Sequence, residues 1–177
     1  MNKKSNKRYQ KNKQRIQTTL ISLLQEKELS KITVQEICET LDINRSTFYY
    51  HYMDIFDLAE QVFKETNRRL LERMKKEFHL IPFSEKSAIL FFEYIKENKE
   101  IYKASNLMRI EFPFDEGKSQ MVEMFTARHH QSLSDDAVMY EIIFFQAGLT
   151  FVLRKWLDHD CSDPIVSLIQ PLKMYLK

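Results

Sequence analysis

The sequence predicts an all-α protein of about nine helices, with an N-terminal three-helix helix-turn-helix domain followed by a C-terminal helical bundle. Three observations predict it. The 177 residues include only two glycines and four prolines, too few for the closely spaced turns of an all-β chain. Apolar residues recur three and four apart along most of the chain, the period of an amphipathic helix. Hydrophobic residues make up 44%, enough to bury a core in one compact unit or two small ones.

Charge is distributed unevenly. Residues 1–50 hold ten Lys/Arg against five Asp/Glu, and residues 51–177 hold seventeen against twenty. Seven of the basic residues fall in the first fifteen positions, ahead of any acid. Such a segment suits a polyanion, or equally a solvated tail. No apolar stretch follows it as in a secretory leader. The longest uncharged run, Ile142 to Leu153, is shorter than the ~20 apolar residues of a membrane span. Cys38 and Cys161 match no metal or redox spacing. A cytoplasmic protein with reduced thiols, no membrane partner and no cofactor is therefore expected.

Element by element, residues 1–6 are polar and expected to be a disordered basic tail. Ile16, Leu20, Leu23 and Leu24 place a first amphipathic helix over Lys7 to Lys27. A second helix begins at Thr33, where TVQE fits a capping box, with the Thr33 hydroxyl taking one free N–H and Glu36 reaching back to another. It ends near Thr40. Asp42 stands where the turn needs left-handed backbone, which Asp tolerates less well than Gly. Asn44 is a good N-cap for a short third helix. Residues 7–53 thus read as the helix-turn-helix domain.

Asp54 caps a fourth helix, with Ile55, Leu58, Ala59, Val62 and Phe63 facing inward. Residues 54–80 form this connecting helix, and HLIPF (His79–Phe83) marks the junction to a C-terminal domain over 81–177. There, helices are expected over Ser84–Glu97 and Glu100–Ser105, then a loop around Glu111–Lys118 and a helix over Ser119–Ser132. A long helix capped by Ser134 runs to Leu157, and a last one starts at Asp163-Pro164 with Pro at the first helical position.

NRSTFYYHY, Asn44 to Tyr52, carries three tyrosines, a histidine and an arginine with no acid. At helical spacing Phe48 and Tyr52 share one face, continuous with Leu41 and Ile43, and belong to the core. Ser46, Thr47, Tyr49 and Tyr50 point the other way, and Arg45 lies on the flank. DNA accounts for the presented set. Arg can bond guanine O6 and N7 together, Ser and Thr bond either kind of base edge, and Tyr offers a hydroxyl to phosphate and a ring to a thymine methyl.

The segment ITVQEICETLDINRSTFYYHYMDIFDLAEQVF, Ile32 to Phe63, resembles the DNA-binding domain of TetR-family transcriptional regulators. Thr47-Phe48-Tyr49-Tyr50-His51-Tyr52 occupies the places of that family's Thr-Leu-Tyr-x-His-Phe pattern, followed by the cap Asp54 and by Leu58. The resemblance implies that Arg45, Ser46 and Tyr49 read bases, and that Thr47, Tyr50 and His51 hold phosphate with help from Gln35. His51 has a second reading as a structural histidine bonded to backbone. Two positions depart from the family: the usual turn glycine is Asp42, and the lysine often found at the start of the fourth helix is Ile55. The latter removes a phosphate contact, which the basic arm before Ile16 compensates. FFEYIKENKEIYKA and FFQAGLTFVLRKWL loosely resemble the C-terminal region of some TetR-type members, including dihydroxyacetone-kinase regulators.

The resemblance further implies a homodimer through the last two long helices, a palindromic DNA operator and a C-terminal domain that often encloses a small-molecule effector, here of unknown identity. Ile142 to Leu153 agrees with dimerisation: it is apolar nearly all round, as a helix buried on both sides must be, whether in a dimer or in the monomer's own core. Phe91, Phe92, Tyr94, Tyr102, Met108, Met121, Met124, Phe125, Tyr140 and Phe144 could line an effector pocket or be plain core. Adjacent His129 and His130 point about 100° apart on a helix, which makes them a poor metal chelate. The expected function is a dimeric, sequence-specific DNA-binding regulator, read as a repressor although activators share the architecture. The alternative is a helical protein–protein adaptor without specific DNA binding. No phosphate loop, nucleophile elbow or metal-spaced cluster points to an enzyme.

Overall fold

The computed structural model describes residues 3–78, 84–107, 122, 125–126 and 134–173. The chain is all-helical. Eight α-helices occur among the described residues: α1 (Lys3–Leu24), α2 (Val34–Leu41), α3 (Arg45–Tyr49), α4 (Ile55–Phe78), α5 (Glu85–Glu97), α6 (Lys99–Leu107), α7 (Asp135–Asp158) and α8 (Ile165–Ile169). Short 3₁₀ turns lie at Leu29–Lys31 and Gln170–Leu172. The helix expected over Ser119–Ser132 shows only Val122, Phe125 and Thr126, all helical. The HLIPF junction (His79–Phe83), the Glu111–Lys118 loop and His129-His130 lie outside the described residues. The first helix starts at Lys3 rather than Lys7, so residues 3–6, expected to be disordered, are helical. No Gly or Pro stands before Tyr9, so no helix breaker interrupts α1 there.

The chain forms two compact units: Met1–Thr66 with Glu100–Ile110, and Asn67–Lys99 with Glu111–Lys177. The division lies inside α4, not at residue 80, because each half of α4 belongs to a different core. In the first unit Leu58, Ala59, Val62 and Phe63 are buried with Ile16, Leu20, Ile37, Phe48 and Tyr52. Tyr102 of α6 sets its ring edge-on to Phe63, 5.6 Å between centroids. In the second unit Leu70 and Met74, later on α4, pack with Leu90 and Tyr94 of α5.

Caps follow the sequence with three differences. Thr33 Oγ1 accepts from the Glu36 N–H at 3.2 Å, but the Glu36 carboxylate pairs with Lys27 Nζ at 2.5 Å instead of closing a capping box. Asn44 is the N-cap of α3 without a side-chain bond. Pro164 is the N-cap of α8 and not its first residue, so the helix starts one position later than expected. Asp54 caps as predicted: its Oδ1 accepts from the Asp57 N–H at 2.8 Å, and Asp57 Oδ2 accepts in turn from the Met53 N–H. Ser84 and Ser87 close a reciprocal capping box at the start of α5.

The second unit is centred on Trp156. Its ring meets Phe92 edge-on at 5.6 Å, and its Nε1 donates to the Asp163 carbonyl at 3.0 Å. Asp160 and Cys161 turn the chain after α7 in left-handed backbone, at φ 57° and 54°, and the Cys161 N–H closes the helix on the Trp156 carbonyl. Lys99 Nζ pairs with Asp160 at 2.6 Å. Of the residues considered for an effector pocket, Phe92, Tyr94 and Phe125 are buried in this unit, and Tyr102 is buried in the other. Phe91 is half-buried, while Tyr140 and Phe144 are exposed. Met108, Met121 and Met124 lie outside the described residues.

α7 has two apolar faces. Val138, Ile142, Phe145, Leu149, Leu153 and Trp156 are buried, whereas Tyr140, Ile143, Phe144 and Phe151 are exposed. Ala147 and Gly148, also exposed, lie between the exposed rings. A Cβ built on Gly148 meets nothing within 4 Å.

Candidate nucleic-acid interface

The helix-turn-helix geometry is set by α2, its turn and α3. Asp42 adopts the left-handed conformation at φ 52°, ψ 54°, and its N–H bonds the Cys38 and Glu39 carbonyls. Asp thus takes the place that glycine would fill at lower conformational cost. The turn is also held from outside: Arg15 Nη2, from α1, donates to the Leu41 carbonyl at 2.8 Å. A cation at the C-terminus of a helix satisfies one of its free carbonyls and complements its dipole.

The rings of α3 divide as the helical period demands. Phe48 and Tyr52 are buried, while Tyr49 and Tyr50 are 55% and 74% exposed. Arg45 and Ser46 are exposed, Thr47 and His51 half-buried, and Gln35 on α2 exposed. Beyond α3, Met53 and Phe56 also face solvent, while Ile55 is buried in the core. The start of α4 therefore offers two carboxylates and apolar side chains, with no cation.

Two of the expected site residues are joined directly. Arg45 Nη2 donates to Gln35 Oε1 at 2.7 Å, and Gln35 Nε2 donates to Glu39 Oε1 at 2.8 Å. Glu39 was not foreseen. It lies one turn after Gln35 on α2, and by holding the amide nitrogen it turns the amide oxygen toward the guanidinium. Of the five N–H donors of Arg45, this uses one and leaves enough for a two-bond contact to guanine. The signal in the sequence was the i, i+4 Gln–Glu pair; its meeting with Arg45 was not in the pattern.

Cys38, on the same helix, is buried. Burial pushes its thiol up, with nearby Arg45 opposing and Glu39 adding. A thiol raised in this way is a poor nucleophile.

His51 is held by rings. Tyr9 of α1 lies against it at 4.3 Å between centroids and meets Tyr50 edge-on at 5.7 Å. The imidazole Nδ1 is buried without a hydrogen-bond partner, so a structural bond from that nitrogen to backbone is not made. Burial, and secondarily the Lys13 ammonium, push the His51 pKa below its ordinary value.

The linkage has a definite sign. The unfolded chain takes up the His51 proton first as pH falls below about 6.5, so the folded state loses stability there until the lowered folded value is passed. Wild type is expected to lose stability relative to His51→Phe as pH drops from about 7.5 to 5. Urea midpoints of both chains across that range are the check, and a constant difference between them would contradict it.

A comparison of the chain with protein-family models and with curated proteins finds no match in either.

Proposed function

We propose that this chain is a sequence-specific DNA-binding transcriptional regulator acting as a homodimer, as its TetR-like segment implies, and a repressor where its site overlaps a promoter. One observation carries the reading. α3 is anchored by Phe48 and Tyr52 and presents Arg45, Ser46, Tyr49 and Tyr50 to solvent, the residue types that bond base edges and phosphates. Thr47, His51 and Gln35 flank this set and fit phosphate contacts.

The second copy is supported by the outward stripe of α7. Tyr140, Ile143, Phe144, Ala147, Gly148 and Phe151 follow i, i+3, i+4, i+7, i+8, i+11, and large exposed apolar stripes mark association surfaces. By length and composition α7 could cross a membrane. Its opposite face is already buried with Phe92 and Phe125 in protein, so a second protein surface is the better cover. Two copies would bring two recognition helices to a palindromic site with half-sites about one helical turn or slightly more apart.

The test is fluorescence anisotropy on duplexes from the region flanking the gene, beside a scrambled duplex, with salt varied. Saturable binding that prefers one duplex and falls steeply with salt is expected. Equal, weak binding to every duplex would sink the reading. Exposed Tyr49, Tyr50, Met53 and Phe56 would then be read as a surface for a protein partner.

A further inference from the structure

The start of α4 offers no cation, while the densest positive charge in the chain lies on α1 and is absorbed by no element described above. Residues 1–25 contain no acid. Lys7, Arg8 and Lys11 are all exposed, and with Arg15 they fall within roughly 100° of arc at helical spacing. Ile16, Leu20 and Leu24 on the inward face are buried.

An exposed basic stripe is often only a solvated face, and α4 shows what that looks like here. Lys64 pairs with Glu60 at 2.5 Å, Arg73 with Glu77 at 3.1 Å, and Arg68 with Glu72. Each of these cations has its counter-charge four residues away, as solubilising helix surfaces usually do. Lys7, Arg8 and Lys11 form no ion pair with any described residue. Their charges add instead of cancelling.

The stripe is also fixed in place. Tyr9, between Arg8 and Lys11, packs on His51 and Tyr50 at the end of α3, and Arg15 bonds the last carbonyl of α2. Six residues, Lys3 to Arg8, continue the helix past Tyr9, about 9 Å at 1.5 Å per residue. α1 is thus a rigid extension of the surface that carries α3. Of the described apolar side chains of α1 only Ile21 is exposed, so the helix lacks the continuous apolar face that interfacial helices insert into lipid.

We propose that Lys7, Arg8 and Lys11 form a second, sequence-independent contact to the phosphate backbone of duplex DNA, registered to the recognition helix by Tyr9. This rests on the DNA-binding reading above. It assigns to α1 the backbone charge that the start of α4 lacks, leaving base discrimination to α3.

The test uses the full chain and duplexes selected from a random-core pool on the wild-type protein, with a scrambled duplex beside them. Lys7→Gln/Arg8→Gln/Lys11→Gln is compared with wild type, and Lys64→Gln/Arg68→Gln serves as the charge control. The triple variant should bind both duplexes more weakly by the same factor. Its slope of log affinity against log salt should be shallower by roughly 0.9 for each phosphate it no longer neutralises, so about 5 for a dimer that loses three contacts in each copy. The ratio between selected and scrambled duplex should stay at the wild-type value, and the control should keep the wild-type slope.

An unchanged slope with intact selectivity overturns the proposal while sparing the regulator reading. Loss of selectivity in the triple variant overturns it as well, because α1 would then take part in reading bases. If the pool yields no preferred duplex for wild type, both readings fall. Weakened binding to vesicles of anionic phospholipid with an unchanged DNA slope would reassign the stripe to a membrane.

Discussion

Phe144→Glu is expected to make the chain monomeric in sedimentation velocity at concentrations where wild type is a dimer. Phe144 is 73% exposed on α7, and Phe151, two turns along the same stripe, is 69% exposed. Fully burying a Phe side chain contributes about 1.5–3 kcal/mol, and a two-fold interface contains each residue twice. Removing Phe144 from both copies therefore weakens association by about 3–6 kcal/mol, roughly 10² to 10⁴-fold. The introduced carboxylates add a desolvation penalty. The fold of the monomer should not suffer, since the ring is mostly in solvent.

A companion substitution separates interface from fold by sign. A Cβ added at Gly148 meets no described neighbouring element within 4 Å, so Gly148→Ala should stabilise an isolated monomer by up to ~1 kcal/mol through helix propensity. If two copies cross at Ala147-Gly148, the added methyl should weaken the dimer. A chain that becomes more heat-stable when dilute and less associated when concentrated is the expected outcome. Unchanged sedimentation in both variants would remove α7 as the dimer surface.

The second large effect belongs to Arg45. Arg45→Ala should lose discrimination among duplexes by about 1–3 kcal/mol per half-site, the usual worth of a two-bond base contact. Because a dimer carries the change twice, preference for the selected duplex should nearly vanish. Arg45→Lys is the informative partner. It retains the charge and so the salt dependence, but a point-charge ammonium cannot make the planar two-bond contact. Binding that stays salt-dependent while losing its preferred sequence would show that Arg45 reads a base. Gln35→Ala tests the support: without the amide oxygen, the guanidinium loses its fixed partner, and discrimination should fall by less than in Arg45→Ala. Full selectivity in Arg45→Lys would assign the residue to phosphate instead.

Much of the site was legible in advance because a helix imposes its own period. The 3.6-residue repeat alone separates Phe48 and Tyr52 from Tyr49 and Tyr50, whatever the helix packs against. The caps at Thr33, Asp54 and Ser134 are local too, since each side chain meets an N–H three residues on. The left-handed turn at Asp42 follows from how close α2 and α3 lie in the chain.

Pairings between elements were not legible, because they depend on how helices pack and that is set by the whole core. Glu36 could satisfy a nearby N–H or a distant cation, and packing brought Lys27 within reach. Arg15 looked like one more charge of a basic arm, yet it holds the Leu41 carbonyl. Glu39 entered the site only because α3 lies where Arg45 can reach Gln35. The division inside α4 has the same origin, since α6 returns to pack Tyr102 on Phe63.

α7 combines both kinds of information. Its composition determined that its Ile142 to Leu153 stretch is apolar on nearly every side, so periodicity alone singles out no packing face. Only the tertiary structure decided which side the chain covers itself, with Phe92 and Phe125, and which side it leaves open. Periodicity ranks faces by polarity, but two apolar faces are equivalent until the fold takes one of them.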